Sequence, residues 1–128
     1  MSARLHSAVL VVADQDEALA FFTDVLGWVK REDNQMGPDY RFLCVAPEGH
    51  ATGIVLGKPE VHGRPAATPE EPRDVDMYLI TDDLMRDYEE WTAKGVVFLD
   101  KPEPMPWGAL GARFQDPFGN RYFITDGA

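Results

Sequence analysis

The sequence is poor in cysteine, histidine and positive charge, and each shortage narrows what the chain can do. Its single cysteine, Cys44, leaves no intramolecular disulfide and fits a reducing cytoplasm, where the protein is expected to reside. Cys44 lies in the apolar run Phe42-Leu43-Cys44-Val45 and reads as a small buried hydrophobe rather than a catalytic thiol. Of the three histidines, His50 and His62 have no partner at metal-ligand spacing, and His6 reads as a core or surface residue ahead of a metal ligand. Only 12 Lys and Arg face 22 Asp and Glu, for a formal net charge of -10. Nucleic acid and anionic membrane surfaces are therefore not expected partners. A cationic ligand would be attracted, although acidity also serves solubility. No apolar run approaches the length of a membrane span. The start, Met1-Ser2-Ala3-Arg4-Leu5-His6, has no apolar core or cleavage site, so no secretion signal is expected.

What is present is ordinary in bulk, with 45% hydrophobic and 27% charged residues, as in a soluble domain spanning 1–128. The order of the residues is more informative. Asp14 opens a helical segment that closes at Gly27, and Asp82 opens one that closes at Gly95, both with a spacing of thirteen. Each half ends on a hairpin signal, Ala46-Pro47-Glu48-Gly49 in the first and Asp116-Pro117-Phe118-Gly119 in the second. Helices and turns are offset by 68 and 70 residues, which marks an internal repeat. The implied architecture is α+β: two tandem βαβββ modules forming a curved mixed sheet around a cleft, where a ligand would be sought. The first module is placed at 1–57, a linker at 58–73 and the second module at 74–128.

The elements follow from local chemistry. Leu5–Ala13 is a Val- and Leu-rich strand. Asp14 and Glu17 make a capping-box-like pair, and Ala18, Phe21, Phe22, Val25 and Leu26 share one helical face. Trp28–Glu32, Tyr40–Ala46 and Thr52–Gly57 read as strands, and Asp33–Asp39 as a loop. Residues 58–73 hold Pro59, Pro65, Pro69 and Pro72 and read as a surface linker. In the second copy Val75–Thr81, Val96–Leu99, Leu110–Gln115 and Arg121–Thr125 are strands, for eight strands and two helices in all. Asp82 or Asp83 caps the helix carrying Leu84, Tyr88 and Trp91, and Asp100–Gly108 is a proline-stiffened loop. Trp28, just after Gly27, reads as packing or a dimer contact.

The segments Val11-Val12-Ala13-Asp14, Ala18-Leu19-Ala20-Phe21-Phe22-Thr23-Asp24-Val25-Leu26-Gly27 and Phe114-Gln115-Asp116-Pro117-Phe118-Gly119-Asn120 resemble the vicinal oxygen chelate superfamily. This is the glyoxalase / bleomycin resistance / extradiol dioxygenase group, and the resemblance spans essentially the whole chain. Phe118 departs from the Asp usual in that turn. The resemblance implies that metal-using members present one ligand from each of four strands, at positions matching Ser7, Val55, Asp76 and Phe123. Val55 and Phe123 have no donor atom and Ser7 is a weak neutral ligand, so no metal and no cofactor are expected. His6 should point away from the cleft if Ser7 points in.

The same register would turn Ser7, Val9, Val55, Asp76, Tyr78, Arg121 and Phe123 inward, an apolar and aromatic lining suited to a flat organic molecule. Trp107, in Pro104-Met105-Pro106-Trp107-Gly108, is either a ligand contact or a plug for the end of the sheet. Asp76 is a general base, a partner for a cationic ligand, or half of a salt bridge with Arg41 or Arg121. Arg41 alternatively meets an anionic substrate group. Two functions are in view. One is a metal-independent small-molecule-binding protein holding an aromatic or planar ligand, as drug-binding resistance members do. The other is a glyoxalase-like lyase, isomerase or dioxygenase. The resemblance implies a homodimer in either case.

Overall fold

A computed structural model describes residues 2–127. The chain divides into two compact units, Met1–Ala66 and Ala67–Ala128. The first holds β1 (Ser7–Val11), α1 (Gln15–Ala20) running into a π-helical turn (Phe21–Val25), β2 (Val29–Gly37), β3 (Tyr40–Ala46), β4 (Gly53–Gly57) and the short α2 (Pro59–His62). The second holds β5 (Met77–Ile80), α3 (Leu84–Ala93), β6 (Val97–Phe98), β7 (Glu103–Pro104), β8 (Leu110–Gln115) and β9 (Arg121–Thr125).

The strand orders show the repeat directly. The first sheet runs β1-β4-β3-β2 and the second β5-β9-β8-β6, with β7 added beside β8. In each, the first and last strands of the copy pair in parallel and the rest are antiparallel. The registers agree as well. Val9 lies opposite Val55 in the first sheet, and Tyr78 opposite Phe123 in the second.

Caps set where the helices begin and end. Asp14 accepts the backbone N–H of Glu17 at 3.0 Å, and Asp83, rather than Asp82, accepts that of Arg86 at 3.0 Å. Gly27 and Gly95 end the two helical segments at φ 77° and 94°, a left-handed conformation that costs a residue with a Cβ. The first helix does not stay α-helical throughout. Its last turn widens, with Leu26 N–H bonding Phe21 C=O at 3.2 Å, and both neighbouring phenylalanines are buried.

Each sheet packs its helix on one face. In the first unit Leu10, Leu43, Val45 and Leu56 meet Ala18 and Phe22, all buried. Gln15 is buried among them, and its amide donates to the carbonyls of Leu56 (2.8 Å) and Arg41 (3.1 Å). In the second unit Phe114 stacks on Tyr122 with ring centroids 4.6 Å apart, and Trp91 meets Phe114 edge-on at 5.4 Å. Such pairs add about 0.5–1.5 kcal/mol beyond the area they bury.

Two sequence expectations are corrected. The Asp33–Asp39 stretch is mostly strand: β2 continues to Gly37 and turns at Pro38-Asp39 into β3. Its polar residues suit an exposed edge strand, where ladder hydrogen bonds rather than burial hold the chain. Among the described residues nine strands form rather than eight, because Glu103 and Pro104 pair with Gly111 and Leu110. The segment 58–73 contains α2, and its later part is bound into the second unit. There Arg121 Nη1 donates to the carbonyl of Arg73 at 2.9 Å, and Gln115 Nε2 to that of Pro69 at 3.3 Å.

Candidate functional site

The side of each sheet away from its helix carries the residues of interest. In the first unit this open face bears Ser7 and Val9 from β1, Gly53 and Val55 from β4, and Cys44 from β3. Val55 and Cys44 are buried, and Val9 is exposed. Burial raises the pKa of the Cys44 thiol, so it stays protonated and unreactive. Ser7 Oγ is hydrogen bonded to His6 Nδ1 at 3.0 Å, and His6 Nε2 faces Glu32 at 3.2 Å. His6 is therefore a surface residue paired with a carboxylate. Trp28 packs against Phe22, their ring centroids 5.0 Å apart.

Arg41 is not part of that face. It sits one strand position out of phase with Cys44, and its side chain turns toward α1. There it donates to Asp33 from Nε (2.8 Å) and Nη2 (2.9 Å), and to Asp16 from Nη1 (2.8 Å). The Arg41 guanidinium holds Asp33 down to about pKa 2. A polar groove of about 780 Å³ borders it, lined among others by Asp14, Gln15, Asp16, Lys58 and Glu60. Arg41 is thus held by carboxylates of its own unit.

In the second unit the open face is aromatic, and pairing registers divide it into three rows across β5, β9 and β8. Arg121 and Gln115 stand opposite each other, with Asp76 at the entrance to β5 beside Arg121. The middle row is Tyr78, Phe123 and Arg113, and the third is Ile80, Thr125 and Gly111. Tyr78 and Phe123 have ring centroids 5.4 Å apart, and Trp107 approaches Phe123 edge-on at 6.1 Å. Tyr78 is 76% exposed, Ile80 65% and Trp107 53%. Trp107 is nonetheless fixed, because its indole N–H donates to the Gly127 carbonyl at 2.7 Å.

Gly111 has a steric role here. A Cβ on it would lie 2.7 Å from both Met105 Cγ and Phe123 Cζ, so its absence lets those side chains settle onto the sheet. Met105 and Arg113 belong to this face and were not singled out from the sequence. The hairpin turn contained the information. With Gln115 paired to Arg121 across it, Arg113 must face Phe123.

Asp76 is half of a salt bridge, but with neither expected partner side chain. Its carboxylate is paired with the Arg73 guanidinium, whose Nε lies 3.2 Å from Oδ2, and it accepts the backbone N–H of Arg121 at 2.9 Å. The side chain of Arg121 is occupied by the Arg73 carbonyl and by Gln115 Oε1 at 3.3 Å. Asp76 and Arg121 therefore brace residues 71–73 against β9. The sequence could not show this, because Arg73 lay in the stretch read as linker.

The model of the Glyoxalase/Bleomycin resistance protein/Dioxygenase superfamily matches residues 4–122. The chain belongs to this superfamily. Among solved structures, a glyoxalase superfamily member from Sphaerobacter thermophilus is 38% identical, covers 98% of both chains and superposes with a TM-score of 0.87. TnmS3, described as an antibiotic binding protein from Streptomyces sp. CB03234, is 29% identical with a TM-score of 0.82, over 100% of this chain and 99% of its own. A protein of Bacillus subtilis named YetH is 28% identical over 126 residues, 98% of this chain and 100% of its own.

A superfamily metal centre does not fit the residues at the corresponding strand positions. Val55 and Phe123 offer no donor atom, the Ser7 hydroxyl is bound to His6, and the Asp76 carboxylate is bound to Arg73. Among the described residues, no group of three or more His, Cys, Asp or Glu is placed to hold a metal ion. No helix among them is long and apolar enough to cross a membrane.

Proposed function

We propose that this superfamily member is a metal-independent small-molecule-binding protein that holds a planar aromatic ligand on the open face of its second sheet. The observation that carries this reading is the group Tyr78, Phe123 and Trp107, aromatic and side by side, with Tyr78 76% exposed and Trp107 53%. Large exposed aromatic patches cost solubility and mark binding surfaces. Stacking on such rings holds a flat ligand with little ordering entropy, because each ring has only two torsions to fix. Asp76 and Arg121 shape the site through residues 71–73 rather than by acting on the ligand. Similarity to an antibiotic binding protein supports sequestration of a drug-like compound as the biological role. We further propose a homodimer working in the cytoplasm.

The test is calorimetric titration with planar aromatic compounds, followed by mass spectrometry of the recovered ligand. One compound bound per chain and recovered unchanged is the expected outcome. Tyr78→Ala and Trp107→Ala should each weaken binding by about 1 kcal/mol, roughly fivefold. Recovery of a chemically altered compound would replace this reading with that of a glyoxalase-like lyase, isomerase or dioxygenase.

A further inference from the structure

Arg113 stands in the middle row of the aromatic face, directly across β9 from Tyr78, with Phe123 between them. Two interstrand spacings separate the ends of that row, roughly 10 Å. This is about the length of a fused tricyclic ring system. One end of the row is a phenol ring and the other a guanidinium, so the face is polarised along its length.

The guanidinium is fixed in place. Asp100 accepts from Arg113 Nε at 2.8 Å and from Nη2 at 3.0 Å, and also from the Arg113 backbone N–H at 3.2 Å. Asp74 also acts on this guanidinium electrostatically, but among the described residues nothing hydrogen-bonds Nη1, whose two N–H donors can meet a ligand. A half-exposed ion pair of this kind adds little to stability. It does hold a planar fork at one angle beside a ring-binding surface, where arginine can donate in the plane of a ligand that stacks on the neighbouring rings. Arg121, which the sequence register also turned inward, has all three side-chain nitrogens hydrogen bonded within the fold, to Gln115, Arg73 and Glu71.

We propose that Arg113 is the polar anchor of the site and Asp100 its positioning residue. The ligand they fit is a fused bicyclic or tricyclic aromatic with an anionic or hydrogen-bond-accepting oxygen at one end. This rests on the aromatic face being the binding surface. It specifies the polarity of the ligand, which the protein's overall acidity would have set the other way. Short-range pairing outweighs the overall charge because salt screens charges more than about 8 Å apart at physiological ionic strength.

The experiment compares two probes on one ring system, anthracene-2-carboxylate and 2-(aminomethyl)anthracene, by titration against the full chain and its variants. The full chain should prefer the carboxylate by about tenfold, the scale of a charge-assisted hydrogen bond. Arg113→Gln should abolish that preference while leaving the aminomethyl probe bound. Asp100→Asn should reduce the preference, and Asp100→Glu should largely keep it. Circular dichroism confirms that each variant is folded, and Arg113→Lys, which keeps the charge without the planar fork, should show an intermediate preference. An undiminished preference in folded Arg113→Gln overturns the anchor alone, provided that Tyr78→Ala weakens both probes. Failure of the unmodified protein to bind either probe overturns the aromatic-face reading, and the anchor with it.

Discussion

The Asp116 carboxylate is tightly held within the second unit. It is buried and accepts four hydrogen bonds: from the Phe118 and Asn120 backbone, from the Asn120 amide at 2.9 Å and from the Tyr122 hydroxyl at 2.7 Å. Burial still outweighs these donors, so its pKa is raised. Tyr122→Phe should cost about 1–2 kcal/mol in urea unfolding, because one buried acceptor loses its partner. Asp33 shows the opposite balance. Arg41 lowers its pKa from 3.8 to about 2. The pair's contribution is therefore fully present above pH 3.8 and is lost as pH falls through about 2. Arg41→Gln should be less stable than the unmodified protein at pH 5, and the gap should narrow between pH 4 and pH 2. A constant gap across that range would show that Asp33 is not the linked group.

At the scale of elements, the turn between β8 and β9 does more than reverse the chain. Gly119 has φ 101°, and a Cβ there would lie 2.3 Å from the Thr68 carbonyl group. The segment that precedes β5 therefore crosses directly over the turn. Gly119→Ala combines backbone strain with a clash and should cost about 2–4 kcal/mol. The loss should also appear as faster amide exchange at Arg121 and Asp76, whose backbones are tied to that segment. Much of this level could be read from the sequence. Asp14, Gly27 and Gly95 mark helix ends by their own chemistry, and Asp116-Pro117-Phe118-Gly119 marks a turn. The second half of β2 was missed because Asp33, Asn34, Gly37 and Pro38 favour loops locally. Pairing with β3 overrides that preference.

At the scale of the whole molecule, the proposed role predicts a linkage effect. A ligand present at about 100 times its Kd should add about 2.7 kcal/mol to stability, read as a rise in Tm. Tyr78→Ala should reduce that rise at the same ligand concentration. Sedimentation velocity tests the proposed homodimer against the 14.3 kDa chain mass. A single species at the chain mass, at micromolar concentration, would rule the dimer out. The net charge of -10 should make any cationic probe's affinity fall with added salt, whereas stacking on Tyr78 and Phe123 should respond weakly.

The sequence by itself determined the duplication, the positions of caps and turns, and the strand registers that follow from them. These depend on local backbone chemistry and on the alternation of side chains, which repeat at a fixed spacing whatever lies nearby. The register also placed Tyr78 and Phe123 on one face. Which charged groups remain available to a ligand was decided only by tertiary structure. Arg41, Arg73, Arg113 and Arg121 are alike in sequence and all are held by neighbouring groups, but in Arg41, Arg73 and Arg121 every side-chain nitrogen is hydrogen bonded. Arg113 keeps Nη1 without a hydrogen-bond partner among the described residues, because Asp100 occupies only Nε and Nη2.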